Sequence, residues 1–207
     1  MSRGGEVVAQ PTVIRPRKDA VRNRRKILKA AGEILRDDPK NASIQLIAER
    51  ADVSAATVYR YFSSVDALMD TYLYDVEVQL RDYSHDCTLT GRALFDDVLS
   101  ERGRLVETYG HAMALLRSRE GFLARMRRGD QLIQTVRDAW ERPIRALMRS
   151  KGIDDRHFDH ALFLFNIIFD PREILDLRDD GLDLPAALSL LSAAYFGALE
   201  GLASAGA

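Results

Sequence analysis

Apolar residues recur at three- and four-residue intervals along almost the whole chain, which is the spacing of one face of an α-helix. No segment shows the strict alternation of apolar and polar residues that is typical of a half-buried strand. A stripe from Val21 to Leu35 predicts a first helix over residues 17–37. The pattern therefore predicts an all-α fold of about nine helices.

Two short helices follow the first, and each begins after a serine that can cap the first turn with its side-chain oxygen. Ser43 precedes a helix predicted over 44–51, and Ser54 precedes one predicted over 55–62. The connection between them has the three or four residues typical of a helix-turn-helix. Ser63, with an acidic residue three positions later, predicts a capping box and a longer fourth helix.

The second half of the chain is also predicted to be helical. The predicted helices cover residues 90–109, 111–117, 130–150, 158–169 and 184–199. Pro143 is expected to kink the third of these, and Asp170-Pro171 is expected to bend or break the fourth. The last two are apolar on nearly every side and shorter than the roughly 20 residues of a membrane span. Burial against a second subunit is the simpler explanation, and a central helix within one subunit is the alternative.

The charge of the chain is unevenly distributed. The 207 residues carry 30 basic and 31 acidic side chains, but residues 1–31 hold nine basic and two acidic ones, a net of +7. This block predicts contact with a polyanion, although a solvated arm without a partner fits equally well. Residues 1–16 contain two glycines and two prolines and are expected to form a flexible arm.

The cysteine content and the N-terminus indicate which cysteine sites and which cellular location the protein can have. Cys87 is the single cysteine, so an intrachain disulfide and a four-cysteine metal site are both excluded. The N-terminal residues are polar and lack the apolar core of a signal peptide. A cytoplasmic location is therefore expected.

The segment 43–62 has the side chains of a DNA-reading element. Hydroxyl groups at Ser54, Thr57, Tyr59 and Tyr61 suit phosphate oxygens, and small side chains at Ala55 and Ala56 suit thymine methyl groups. Gln45 suits an adenine edge, and Arg60 suits guanine or phosphate. The alternative is a helical hairpin inside an all-α core, with Tyr59 and Phe62 as packing residues.

The segment 47–68, IAERADVSAATVYRYFSSVDAL, resembles the DNA-binding domain of the tetracycline-repressor-like (TetR) family of bacterial transcription regulators, and the likeness extends over 20–80. The resemblance implies a basic arm at 1–16, a helix-turn-helix domain at 17–66 and an effector-binding and dimerisation domain at 67–207. It also implies a homodimer formed by the last two long helices. These helices are expected at about 157–178 and 185–203.

By the same resemblance, nine residues fall at the family's DNA-contact positions. They are Ser43, Gln45, Ser54, Ala55, Ala56, Thr57, Tyr59, Arg60 and Tyr61. Two positions depart from the family: Asp52 stands where glycine is common in the turn, and Val65 stands where lysine usually contacts phosphate. Basic residues of the first helix are expected to compensate electrostatically; they are Lys18, Arg22, Arg24 and Arg25.

Large apolar side chains with a few polar ones are candidates to line an effector pocket in the second half. The candidates are Tyr109, His111, Met113, Met126, Trp140, Phe163 and Asn166. The alternative for each is an ordinary place in the core. The expectation of a ligand rests mainly on the resemblance, and the lining favours an apolar or aromatic effector.

The sequence contains only weak candidates for a metal-binding or catalytic site. His157 and His160 stand three residues apart near Asp154 and Asp155, but this is more typical of a solvated helix start than of a metal site. The sequence His85-Asp86-Cys87 lacks a wider catalytic constellation. No phosphate-binding loop and no hydrolase or metalloprotease signature occurs. No cofactor, metal or enzymatic activity is therefore expected.

The sequence thus predicts a dimeric transcription regulator, in the form of a repressor that a small effector releases from a near-palindromic operator on double-stranded DNA. The alternative is an all-α small-molecule-binding protein or enzyme with no role at DNA.

Overall fold

The computed structural model describes residues 16–37, 41–115, 118 and 120–205. Over these residues the backbone forms ten α-helices, one 3-10 turn at Asp155–His157 and no strand, so the predicted all-α class is confirmed. The helices are α1 (Pro16–Asp37), α2 (Ile44–Ala51), α3 (Ala55–Tyr61), α4 (Val65–Asp86), α5 (Gly91–Leu115), α6 (Phe122–Arg127), α7 (Gln131–Ser150), α8 (Phe158–Ile168), α9 (Pro171–Asp179) and α10 (Leu184–Ala205). The predicted arm at 1–16 lies outside the described residues except for Pro16.

The helix-turn-helix forms as the caps predict. The hydroxyl of Ser43 accepts a hydrogen bond from the Leu46 amide at 3.2 Å, and that of Ser54 accepts one from the Thr57 amide at 3.1 Å. Between α2 and α3, Asp52 adopts the left-handed conformation with φ of 54°. Aspartate takes this conformation more readily than most residues other than glycine, so the turn keeps its shape without the glycine common in the family.

Two predictions for the segment 63–117 are wrong. Ser64, not Ser63, caps α4, and its hydroxyl accepts a hydrogen bond from the Ala67 amide at 3.1 Å. The helix then continues to Asp86. The segments predicted at 90–109 and 111–117 form one continuous helix, α5.

The second half also differs from prediction in how its helices are divided. The short helix α6 was not predicted. The segment expected over 157–178 forms two helices, α8 and α9, and the predicted bend or break at Asp170-Pro171 is confirmed as a break. Asp170 accepts a hydrogen bond from the Arg172 amide at 3.0 Å and caps the helix that begins at Pro171.

Pro143 does not interrupt α7, which runs from Gln131 to Ser150. Proline has no amide hydrogen, so the carbonyl of Ala139 lacks its usual donor within the helix. The hydroxyl of Ser84 on α4 donates to this carbonyl at 2.7 Å and is fully buried. The proline is therefore accommodated by a side chain of the neighbouring helix, and this contact ties α4 to α7.

An aromatic cluster joins α5, α7, α8 and α10 at the centre of the C-terminal half. The rings of Phe95 and Tyr195 stack with centroids 5.6 Å apart, and Trp140 lies 3.9 Å from Phe165. The Tyr195 hydroxyl donates to the carbonyl of Ala161 at 3.0 Å. Burial raises the pKa of Tyr195 above its ordinary range, so this hydroxyl stays neutral and acts as a structural donor.

The final helix is apolar, but only one of its faces is covered in the described part of the chain. Ala187, Tyr195 and Leu199 are buried, whereas Leu190 is 53% exposed. Residues Leu184–Ala203 are long and apolar enough to cross a membrane, contrary to the expectation from the sequence. A core helix has the same length and composition, and α10 packs against α5, α8 and α9.

A close contact between α1 and α4 depends on a glycine. A Cβ atom on Gly32 would lie 2.4 Å from the Tyr72 hydroxyl oxygen and 2.8 Å from two ring carbons. The Tyr72 ring is itself held in place by an edge-on contact with Tyr109 at 5.6 Å. Glycine at this position therefore allows the helix-turn-helix to pack against the C-terminal half.

We expect Gly32→Ala to destabilise the protein by about 1–3 kcal/mol, because overpacking at the α1–α4 contact outweighs the better helix propensity of alanine. Chemical denaturation measures the free energy of unfolding. In a Tyr72→Leu background the same substitution should cost clearly less. An equal cost in both backgrounds would show that the Tyr72 ring is not the obstacle.

Candidate nucleic-acid interface and ligand cavity

The nine side chains predicted to contact DNA all lie at least partly at the surface. The exposed ones are Gln45, Ser54, Ala56, Tyr59 and Arg60, and the half-buried ones are Ser43, Ala55, Thr57 and Tyr61. Tyr59 is 52% exposed, whereas Val58 and Phe62 face the interior of the protein and are buried. The helix thus separates an apolar inner face from a polar outer face.

Local contacts order the outer face of α3. The hydroxyls of Ser54 and Thr57 lie 2.9 Å apart and share a hydrogen bond at the start of the helix. The Arg60 guanidinium lies over the ring of Tyr61, 5.4 Å from its centroid. Stacking of this kind holds the guanidinium in place while its N–H groups stay available to other acceptors.

The basic residues of α1 differ in how available they are. Arg22 pairs with Asp19 at 3.7 Å, and Arg24 pairs with Asp75 of α4 at 3.5 Å. Arg25 is exposed. The side chain of Lys18 lies outside the described part of the structure. All three described arginines are therefore exposed, and two of them also pair with a carboxylate of the chain.

Residues exposed on α8 and α10 form an apolar surface in the C-terminal half. Leu190 and Ile167 are 53% and 47% exposed. Small exposed residues surround Leu190 along the same helix: Ala186, Ser189, Ala193, Ala194, Gly197 and Gly201. We call this the α8–α10 surface. Small residues allow another helix to approach closely, and exposed apolar patches often mark interfaces.

A cavity of about 520 Å³ lies between α4 and the helices that pack around it. Its apolar lining is Leu73, Met113, Phe122, Leu132, Ile133, Val136, Phe165 and Pro171. Its polar lining is Asp70, Glu77, Arg102, Ser118, Glu120, Arg125, Arg128, Asp130 and Asn166, together with Gly121. The volume of this cavity lies in the range of small-molecule sites, and its walls are about equally polar and apolar.

The structure brings two of the seven predicted ligand residues to this cavity, Met113 and Asn166. Trp140 lies in the aromatic core, and His111 is exposed on α5. Tyr109 lines a different cleft of about 700 Å³ between α1, α4 and α5. The remaining two, Met126 and Phe163, are half-buried and are not among the lining residues of the cavity.

The sequence analysis missed a buried ion pair in the cavity wall. Arg102 of α5 donates through Nη1 to Glu77 Oε1 of α4 at 3.1 Å, and each residue is only 8% exposed. Glu77 Oε2 and Arg102 Nε are buried and have no hydrogen-bond partner. The sequence did contain a signal for these buried charges, because each of them stands where the apolar stripe of its helix would continue. Glu77 follows Leu73 by four residues, and Arg102 follows Leu99 by three.

A second network, made of hydrogen bonds to Asp130, lies at the N-terminus of α7. Asp130 caps this helix by accepting hydrogen bonds from the Leu132 and Ile133 amides at 3.1 and 3.3 Å. Arg125 also donates to its two oxygens, at 3.1 and 3.2 Å. Although burial alone would raise the pKa of Asp130, the hydrogen bonds from Arg125, Arg128 and the Ile133 amide lower it below its ordinary value of 3.8.

We expect Asp130→Ala to destabilise the protein by about 1–2 kcal/mol at pH 7 through loss of the cap. Asp130→Asn keeps an oxygen at the cap and should cost less. Because the folded-state pKa is lowered, the charge stabilises the protein above pH 3.8, and this contribution is lost as the pH falls towards the folded-state value. The free energy difference between the wild type and Asp130→Asn, measured by urea denaturation, should shrink below pH 4; a difference that stays constant would contradict this role.

The residues considered for metal or nucleophilic chemistry form no such site. Among the described residues, no group of three or more His, Cys, Asp or Glu is arranged to hold a metal ion. His85 contacts the Asp138 carbonyl at 3.3 Å, whereas the Cys87 thiol donates to Asp97 at 3.4 Å. His157 contacts the neighbouring Arg156.

Comparison with known proteins adds independent information. Residues 27–71 match the profile of bacterial regulatory proteins of the tetR family. No curated protein matches the chain. A TetR transcriptional regulator from Rhodococcus sp. RHA1 is 18% identical, with a TM-score of 0.54 over 86% of this chain and 96% of that one. A TetR-family transcriptional regulator from Mesorhizobium loti MAFF303099 is 16% identical, with a TM-score of 0.55 over 88% and 97%.

The profile match covers α2 and α3 together with parts of α1 and α4, which is the part of the chain that holds the exposed face of α3. The solved structures show that the remaining helices adopt the same overall fold. The helix-turn-helix region of the chain therefore matches the profile of tetR-family bacterial regulatory proteins, and the chain has the fold of solved TetR regulators.

Proposed function

We propose that the chain is a homodimeric repressor that binds a near-palindromic operator and is released by a small effector. The observation that carries the proposal is the exposed outer face of α3. Tyr59, Arg60 and Ala56 are exposed there over the buried Val58 and Phe62. A helix with this arrangement fits the major groove of DNA.

Each side chain on this face has a distinct proposed role. The hydroxyls of Thr57, Tyr59 and Tyr61 donate to phosphate oxygens and fix the orientation of α3. Gln45 and Arg60 read base edges, and the small side chains of Ala55 and Ala56 let the helix approach thymine methyl groups. Ser43 and Ser54 cap their helices and contact the backbone of DNA.

Dimerisation is proposed at the α8–α10 surface. One recognition helix reads too few base pairs for a specific site, so two are needed, about 34–36 Å apart along the DNA. An interface around a two-fold axis pairs the same patch on both subunits. The exposed Leu190 and Ile167, flanked by small residues, provide a patch that can meet its own copy.

The proposed effector site is the cavity beside α4. This helix begins at Val65, directly after the helix-turn-helix, and its residues Leu73 and Glu77 form part of the cavity wall. A ligand that prefers a shifted position of α4 changes the separation of the two α3 helices in the dimer. A 100-fold loss of operator affinity requires about 2.7 kcal/mol of coupling.

The proposal divides the chain into a helix-turn-helix domain at 17–66 and an effector-binding and dimerisation domain at 67–207. The regulator acts on chromosomal DNA, so we propose a cytoplasmic location. The alternative is a small-molecule-binding protein or enzyme with no role at DNA, and it gives the polar outer face of α3 no partner.

Capture of fragments from a genomic pool tests the proposal. The purified protein should bind a small set of fragments with nanomolar affinity, and the affinity should fall steeply as the salt concentration rises. Binding that is absent, or that is equal for all fragments, would contradict the proposal.

A further inference from the structure

The cleft of about 700 Å³ between α1, α4 and α5 is separate from the proposed effector cavity. The two have no lining residue in common. Leu73 and Glu77 of α4 form part of the wall of the effector cavity, whereas Tyr72 and Val76 of the same helix line the cleft. Helix α4 therefore lies between two hollows, and the function proposed above uses only one of them.

The cleft has an excess of positive charge. Its lining contains four cationic and two acidic side chains. Both acids are already paired, Asp75 with Arg24 at 3.5 Å and Glu33 with Arg50, outside the lining, at 3.4 Å. The other three cations are exposed and form no ion pair within the described part of the chain; they are Arg25, Lys29 and Arg36. An anion that enters the cleft can therefore pair with them without breaking an ion pair of the protein.

These three cations share one face of α1. They follow each other at intervals of four and seven residues, which places them along the same side of the helix. Burial and the neighbouring Tyr109 raise the pKa of the Tyr72 hydroxyl above its ordinary range, and the positive charge of Arg36 partly opposes this rise. The Arg36 guanidinium is therefore close to Tyr72 in the wall of the cleft.

Much of the remaining lining is apolar or aromatic. Val21, Leu28 and Val76 line the cleft together with the rings of Tyr72 and Tyr109, which meet edge-on at 5.6 Å. Val21 is 61% exposed, so part of this apolar surface is open to water. The phosphate groups of DNA gain nothing from such a surface, whereas the apolar body of a small ligand would cover it and leave water on binding.

We propose that the cleft is a second ligand site, which takes a small organic anion with an apolar body. The anionic head group pairs with Lys29 and Arg36, and the body lies against Val76 and the tyrosine rings. The volume of the cleft lies in the range of small-molecule sites. Because Gly32 of α1 and Tyr72 of α4 both line the cleft, the ligand lies where the helix-turn-helix packs against the C-terminal half. Occupancy of this site does not depend on the proposed function, since it is measured without DNA.

Octanoate tests the proposal on the full-length protein without DNA, and 1-octanol is the neutral probe of the same chain length. Isothermal titration calorimetry measures both affinities. In the double variant Lys29→Gln/Arg36→Gln, octanoate affinity should fall at least about ten-fold because the head group loses both cations, whereas the affinity for 1-octanol should not change. The proposal would be overturned if octanoate did not bind the wild type, if the double variant kept its octanoate affinity, or if both probes lost affinity equally.

The double variant Arg127→Gln/Arg149→Gln is the matched control for charge. Both arginines are exposed and lie outside the lining of the cleft, on α6 and α7. Their removal makes the same change in net charge, but octanoate affinity should stay within about two-fold of the wild type. A loss as large as that of Lys29→Gln/Arg36→Gln would mean that octanoate responds to the overall charge of the protein, which contradicts a site in the cleft.

A tryptophan at position 108 tests the location without changing a charge. Thr108 is exposed on α5 and lines the cleft, and its hydroxyl donates to the Arg104 carbonyl at 3.0 Å. Ser100 is also exposed on α5 and donates to the Asp96 carbonyl at 2.9 Å, but it lies outside the lining of the cleft. Thr108→Trp should weaken octanoate binding at least about ten-fold by filling the cleft, and Ser100→Trp should leave it unchanged. Equal octanoate affinities in these two variants would place the anion elsewhere and overturn the proposal.

Discussion

Replacing Ala56 by glutamate should reduce operator affinity by about 100-fold or more, with little effect on folding. Ala56 is exposed on the outer face of α3, where the proposed complex brings it against DNA. A carboxylate there meets the phosphate backbone and also blocks the close approach that alanine permits. Fluorescence anisotropy with a captured fragment measures the affinity, and thermal unfolding measures the stability.

Ala93→Glu is the matched control for this substitution. Ala93 is also an exposed helical alanine, but it lies in the first turn of α5, far along the chain from the helix-turn-helix. It makes the same change in net charge, so any general effect of charge on DNA binding is shared by both variants. If both variants lost the same affinity, α3 would not be the DNA-reading element.

Replacing Leu190 by glutamate should convert the dimer into a monomer and lower operator affinity by more than about 100-fold at nanomolar protein concentrations. Leu190 is 53% exposed on α10, so a single chain tolerates the change. Around a two-fold axis, however, one substitution places two like charges in the same apolar interface. Analytical ultracentrifugation measures the mass, and anisotropy measures the affinity.

Leu89→Glu is the control for this second variant. Leu89 is 44% exposed and lies between α4 and α5, outside the α8–α10 surface. This variant should stay dimeric and keep its affinity for DNA. A dimer that survives Leu190→Glu would move the subunit interface to another face of the molecule.

The helix-turn-helix was the most predictable part of the fold, since its signals are local. Ser43 and Ser54 cap their helices through amides three residues away, and Asp52 makes the turn with its own backbone. The nine predicted contact residues rest on the resemblance to the TetR family, and the structure places all of them at least partly at the surface. Their role at DNA stays a prediction.

The C-terminal half was less predictable, because its arrangement depends on contacts between distant segments. The accommodation of Pro143 requires Ser84 from another helix, whereas the break at Asp170-Pro171 is a local signal and was predicted. Periodicity shows which side of a helix is apolar but not which helix covers it. For the same reason Trp140 was predicted to line a pocket although it lies in the core.

The cavity shows a further limit of sequence patterns. The candidates were selected for size and apolar character, and this criterion misses Glu77 and Arg102, whose importance comes from being buried together at 3.1 Å. Their pairing across 25 positions in the chain becomes visible only when α4 and α5 pack side by side. The wall of the cavity is therefore more polar than the predicted residues imply.

The central claim is that the outer faces of two α3 helices read successive major grooves. Methylation protection at guanine N7, an atom in the major groove, tests it most directly on a captured fragment. With the wild-type protein, two clusters of protected guanines are expected on one face of the duplex, with centres about 34–36 Å apart or at a multiple of that distance. With the Ala56→Glu variant, neither cluster should be protected. Protection at a single cluster, or a pattern that Ala56→Glu leaves unchanged, would contradict it.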